Sequence, residues 1–247
     1  MFFRFPALDL LPTAVYLTAA LLPAAILLRY VYKTDAVEKE PPALLASLVF
    51  MGCLAALASG VLEGLGEYLL QIFVSPKSPI YVILLAFFVV AAVEEGTKLF
   101  FLKLRSWNSP DFNFRFDGVV YAVFVSLGFA GLENVQYVLN YGLSVALPRA
   151  LLAIPGHMSF SIFMGVHYGR ARLLTNRGDA AGGRRELFRA WRSAMVLHGI
   201  YDSCAMTGSG IASVIFLVFV LAMFFSAYRT LRRESATDAP IVPWGPM

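Results

Sequence analysis

Charge is scarce in this sequence. Asp, Glu, Lys and Arg make up 15% of its 247 residues, well short of the roughly one-quarter found in ordinary soluble domains. Cysteine is scarcer, at two residues, which excludes a disulfide framework and a cysteine-rich metal motif. Both Cys53 and Cys204 fall inside apolar runs and read as free, buried thiols. No strand-length alternation of polar and apolar residues recurs, which excludes a β-barrel. Dense basic tracts are also lacking. The net charge of +4 is spread along the flanks of apolar segments, so no DNA or RNA partner is expected. No serine stands in a recognisable nucleophile motif.

The residues present in abundance are apolar. Hydrophobic residues reach 59% and the mean hydropathy is +0.70, which predicts an all-α, polytopic membrane helix bundle. Spans are expected at about 10–31, 43–70, 79–102, 117–140, 147–169, 187–206 and 209–228, each long enough to cross a bilayer. If these seven alternate across the membrane, all but four of the 20 basic residues fall on one side. The exceptions are Arg4, Lys77, Arg149 and the intramembrane Lys98. That asymmetry predicts an outside N-terminus and a cytoplasmic C-terminus. The first apolar run is followed by basic residues and has no small-residue cleavage site, so it reads as a transmembrane helix and not a removable signal. Residues 1–233 are expected to form one transmembrane domain and 234–247 a disordered cytoplasmic tail.

Within those spans lie ionisable groups that lipid alone would not tolerate. They are Glu94, Glu95 and Lys98 on the third, Glu133 on the fourth, His157 on the fifth, and His198 with Asp202 on the sixth. A charge at the bilayer centre costs about 2.5–3.5 kcal/mol even on the most lenient scale. At about 100° per residue Lys98 projects between Glu94 and Glu95, and the i to i+4 spacing puts His198 and Asp202 on one face. Four carboxylates face a single obligate cation, Lys98. The excess must be neutralised by protons, by imidazolium or by a bound metal, and each is an ingredient of proton-transfer chemistry. Counting rise per residue puts Glu94, Asp202 and His157 about 13–20 Å from the basic flank, but Glu133 about 24 Å away and Glu63 about 30 Å away. On that count Glu133 joins the group only if its helix tilts or starts deeper in the membrane, and Glu63 and Glu67 belong at the outer interface. Pro155-Gly156, just before His157, is a pair that can break a helix. Gly128, Gly131, Gly165 and Gly169 read as close helix packing, and Gly60 with Gly64 as a weaker contact signal.

The polar residues form ordered motifs: Glu94-Glu95-Gly-Thr-Lys98 (EExxK), Phe129-Ala-Gly-Leu-Glu133 (FxxxE), the isolated His157, and His198-Gly-Ile-Tyr-Asp202 (HxxxD). In order and spacing they resemble the PrsW family of intramembrane proteases, over roughly residues 30–230, and more distantly the CAAX prenyl endopeptidases. From the latter the chain departs by carrying Glu133 in place of His, and Lys98 in place of Arg at a shorter spacing. The resemblance implies a prokaryotic, multi-pass protein of the plasma membrane that hydrolyses peptide bonds. Its substrates would be membrane-anchored proteins of the anti-sigma-factor kind. The implied catalytic set is Glu94, Glu95, Lys98, Glu133, His157, His198 and Asp202. Glu94 or Glu95, with His157, would activate water, and His198 oriented by Asp202 would stabilise the oxyanion or protonate the leaving amine. Two versions stay open: a metal-free glutamic type, and a metalloprotease in which His157, His198 and Glu133 are candidate zinc ligands. The same census also suits a proton- or cation-coupled transporter, although no inverted repeat is visible.

Overall fold

The computed structural model describes residues 10–208 and 210–241. Each of the seven expected spans is a helix within those residues: α1 (Leu10–Thr34), α2 (Pro42–Phe73), α3 (Pro79–Ser106), α4 (Asp117–Tyr141), α5 (Leu143–Asn176), α6 (Ala180–Thr207) and α7 (Gly210–Ala236). All but α6 are long and apolar enough to cross a membrane. α6 falls short because its first half carries Arg184, Arg185, Glu186, Arg189 and Arg192 and its second half is interrupted by His198 and Asp202. Among the described residues the one β pairing is an isolated bridge between Phe114 and Pro240.

Local chemistry sets the helix boundaries. Pro42 opens α2 at a position where the missing N–H costs nothing. Asp179 caps α6, its side chain accepting from the Gly182 amide at 2.7 Å. Gly142, Gly178 and Gly208 end α4, α5 and α6 with φ of 80°, 87° and 66°, a left-handed geometry that costs glycine nothing. Two helices also contain a π-helical turn, at Leu85–Ala91 in α3 and Arg149–Ala153 in α5. The π turn in α5 directly precedes Pro155, and the helix runs on through Pro155-Gly156 without a break. Ser159 Oγ donates back to the Pro155 carbonyl at 2.8 Å.

α4 is the central post. It packs against α1, α2, α3 and α5, and 83% of its most apolar stretch is inside the protein, against 17% for α1 and for α7. Lipid tails supply no hydrophobic drive between helices, so close backbone approach must hold the post in place. A Cβ added at Gly128 would lie 2.2 Å from the Val49 carbonyl of α2, and one at Gly165 would lie 2.5 Å from Val119 Cα of α4. Gly60 and Gly64 have nothing within 4 Å, so their pattern makes no contact within this chain. The outer helices present Leu217, Val218, Leu221 and Phe225 to their surroundings, as a lipid-facing surface requires.

At the basic end the C-terminal segment differs from the expected free tail. α7 continues to Ala236, and Glu234 pairs with Arg115 at 3.3 Å and Arg170 at 3.9 Å. Ile241 is buried and donates its amide to the Asn113 carbonyl at 2.7 Å. The anchoring groups are dispersed through the sequence, which is why composition reads this segment as a tail. Residues 242–247 lie outside the described residues.

Candidate active site

The seven residues singled out from the sequence form one connected network. On α3 the π turn ends one residue before Ala92, whose carbonyl accepts from the Trp191 indole at 3.1 Å. Gly199 fits against Phe87 of that turn, where a Cβ would come within 2.5 Å of the ring. These contacts press α6 against the start of the EExxK turn. Lys98 is 1% exposed, and its ammonium lies 2.9 Å from Glu94 Oε2, 2.7 Å from Glu95 Oε1 and 3.1 Å from His157 Nδ1. The Phe129 ring closes its remaining side, with the centroid 4.0 Å away.

Hydrogen-bonding capacity assigns the tautomers. An ammonium only donates, so His157 Nδ1 accepts, and Nε2 donates to Glu133 Oε2 at 3.1 Å. Glu133 also receives Arg149 Nη2 at 2.9 Å. Arg149 Nε donates to Asn134 at 2.8 Å, and Asn134 in turn donates to the Ala20 carbonyl at 2.7 Å. His198 lies between two carboxylates, with Nδ1 at 2.9 Å from Glu95 Oε1 and Nε2 at 3.3 Å from Asp202 Oδ2. Both neighbours accept, so both ring nitrogens donate. Phe160 stacks on His198 at 4.7 Å, and Ser126 fixes the His157 backbone by donating to its carbonyl at 2.9 Å.

Glu94, Glu133, Arg149, His157, His198 and Asp202 line a cavity of about 180 Å³. Glu95 and Lys98 do not line it; they stand behind its wall. Glu63 lines it as well, with its Oε1 buried and lacking a hydrogen-bond partner. The sequence reading sets Glu63 apart from the site, whereas the structure joins it to the cavity. The residue count measures depth from Ala43, but the cavity reaches well toward the far end of the bundle, which also removes the depth objection to Glu133. Arg149 is the other residue that sequence reasoning misses. Alternation of spans assigns it to an outer loop, yet α5 begins at Leu143 and carries it inward. The unbalanced carboxylates are the signal that calls for a further cation.

The donor chemistry suits a metal. Glu94, Glu95, His157 and His198 offer ligand atoms all within 4.8 Å of one another, and two imidazoles with carboxylates are a zinc-type set. Glu95 Oε2 is buried without a hydrogen-bond partner, an acceptor free to take a proton or a cation. Glu133 is not in that set; it is turned to Arg149 and His157. Lys98 engages three of the four residues, so its ammonium and a metal compete for the same donors.

Comparison with known sequences decides the family. A profile described as "PrsW family intramembrane metalloprotease" matches residues 40–228. The chain belongs to the PrsW family. Protease PrsW of Geobacillus kaustophilus is 30% identical over 227 residues, covering 91% of this chain and 94% of that protein. Protease PrsW of Oceanobacillus iheyensis is 30% identical over 221 residues, at 90% and 97% coverage. That of Clostridioides difficile is 30% identical over 210 residues, at 83% and 85%. No solved structure matches the chain. As a PrsW-family member this chain is an intramembrane protease, and the transporter reading finds no support.

Proposed function

We propose that this PrsW-family site hydrolyses membrane-anchored protein substrates with a water activated by Glu94. The observation that carries the assignment is the division of the paired glutamates: Glu94 faces the cavity beside His157, His198 and Asp202, whereas Glu95 is sealed behind it with Lys98. Lys98 holds Glu94 Oε2, leaving Oε1 for the water. Glu94 takes the water proton as hydroxide adds to the scissile carbonyl. His198 keeps its Nδ1–H on Glu95 and turns its Nε2–H, held at 3.3 Å by Asp202 in the free site, to the developing oxyanion and then supplies that proton to the leaving nitrogen. Asp202 and Glu95 hold that ring in place. His157, fixed by Lys98 and Glu133, forms the opposite wall. Glu95 and Lys98 are positioning residues; Glu94 and His198 are the catalytic pair.

The metal-dependent reading is favoured by the compact donor set. In it Glu94, His157 and His198 would hold zinc, after Lys98 releases Glu94 and His157. Bound zinc would polarise the carbonyl and lower the pKa of a water. Glu95 would then orient His198 through its hydrogen bond.

The basic asymmetry supports a cytoplasmic C-terminus in a plasma membrane. The cavity then lies toward the extracytoplasmic half, which suits substrates with a single span cut near that side, of the anti-sigma-factor kind. Zinc content separates the two versions. The metal-free version predicts purified, cleaving protein with far less than one zinc per chain and no loss of cleavage on chelation. Stoichiometric zinc, lost together with cleavage and restored by adding it back, contradicts that version.

A further inference from the structure

A second cavity, larger than the first at about 630 Å³, opens at the basic end between α5, α6 and α7. Its wall is layered. His167 of α5 and Arg189 and Arg192 of α6 lie toward the basic end, whereas Phe163 and Val196 lie about one turn deeper on the same helices. α7 contributes Ser226, three residues before Arg229. The upper layer is built, not incidental. Glu186 is buried; it receives His167 Nδ1 at 2.7 Å and pairs with Arg189, which fixes both side chains. Arg192 has no carboxylate within 4.0 Å among the described residues. Arg192 is exposed, with its guanidinium 5.9 Å from the Phe188 ring, and together with the fixed imidazole and the hydroxyls of Ser193 and Ser226 it offers the kind of donors that a phosphate group takes.

We propose that this cavity binds the phosphate of an anionic phospholipid, with Arg192 as its principal partner. The apolar layer beneath the basic one decides for a lipid over a free phosphate, because it continues into the hydrocarbon where glycerol and acyl chains extend from the headgroup. The cavity volume is in the range of ligand pockets and exceeds what inorganic phosphate needs. The bound lipid ties α7 to α5 and α6. This inference does not depend on the catalytic assignment.

The test is lipid retention by the detergent-purified full chain, measured by native mass spectrometry and by thermal unfolding. Phosphatidylglycerol, phosphatidylcholine and inorganic phosphate serve as probes. Wild type should retain phosphatidylglycerol about tenfold more strongly than phosphatidylcholine and gain thermal stability from it. Arg192→Gln should lose most of that preference, Arg192→Lys should keep part of it, and Arg184→Gln, an exposed site outside the cavity, should keep it all. Unfolding in phosphatidylcholine alone establishes that each variant is folded. Equal preference in wild type and Arg192→Gln overturns the proposal, as does an equal loss in Arg184→Gln. Stabilisation by millimolar phosphate matching that by phosphatidylglycerol overturns the lipid assignment.

Discussion

At the scale of single residues, the balance of charge around Lys98 and Arg149 governs the site. Each is the cation that makes neighbouring carboxylates tolerable. Replacing Arg149 by Met leaves Glu133 with only His157, and the unpaired carboxylate should lower the melting temperature. Adding Glu133→Gln to Arg149→Met should recover part of the loss, giving a coupling of about 1–3 kcal/mol in a double-mutant cycle read by thermal unfolding. Strict additivity would mean the pair is not coupled. Glu63 makes a second prediction. Its partnerless carboxylate lines the cavity, so Glu63→Gln should alter the pH profile of cleavage while leaving the fold intact, whereas Glu67→Gln should leave both the profile and the fold unchanged. The groups in the four motifs are legible in the sequence because lipid makes each charge conspicuous. Arg149 and Glu63 are not, since alternation of spans assigns the first to an outer loop and a count of rise from an assumed membrane edge assigns the second to the outer interface, and neither rule reports an off-centre cavity.

At the scale of elements, close backbone approach and two π turns aim the side chains proposed to be catalytic. The π turns at Leu85–Ala91 and Arg149–Ala153 precede Glu94 and His157 by a few residues. Each extra residue per turn rotates the downstream side chains around the helix axis. No periodicity argument detects this, which is why Pro155-Gly156 reads as a break when a π turn ahead of it absorbs the strain. The glycine contacts give a direct test. Gly128→Ala places a methyl 2.2 Å from the Val49 carbonyl and should destabilise the bundle by about 3 kcal/mol or more in reversible unfolding. Gly64→Ala, with nothing within 4 Å, should be neutral. Equal effects of the two would mean that α2 and α4 do not meet where described. The small-residue spacing reveals that contacts exist, but not which pairs of helices make them.

At the scale of the whole molecule, the two ends of the bundle do different work. The basic end is closed by a seam joining the α1–α2 loop, the α3–α4 loop and the chain after α7. In it burial pushes the Glu40 carboxyl up to about 7 and that of Asp35 up to about 6. Tyr121 donates to Glu40 at 2.6 Å; Asp111, Asp117 and Asp238 lie near the two carboxyls, and Lys39 is the nearby cation. Both folded values lie above their ordinary ones. The unfolded chain therefore ionises first as pH rises, and the seam's stability, complete near pH 4, is lost progressively up to about pH 7. Hydrogen exchange at residues 111–117 and 234–241 should accelerate from pH 5 to pH 8 beyond the intrinsic chemical trend, and Glu40→Gln should flatten that excess. Seven helices are readable from hydropathy alone. The seam is not, because its partners are far apart in sequence and joined by backbone hydrogen bonds that composition does not report.

The opposite half holds the proposed protease site, and there the central claim is that Glu94 and His198 act on a cavity water while Glu95 and Lys98 position them. Cleavage of a fluorogenic transmembrane peptide by the purified chain tests it most directly, with each variant first shown to unfold near the wild-type temperature. Glu94→Gln and His198→Ala should each reduce kcat by about 10²-fold or more. Glu95→Gln should reduce it less and shift its pH dependence, since that carboxylate acts through His198. Undiminished cleavage by Glu94→Gln and His198→Ala would contradict the account.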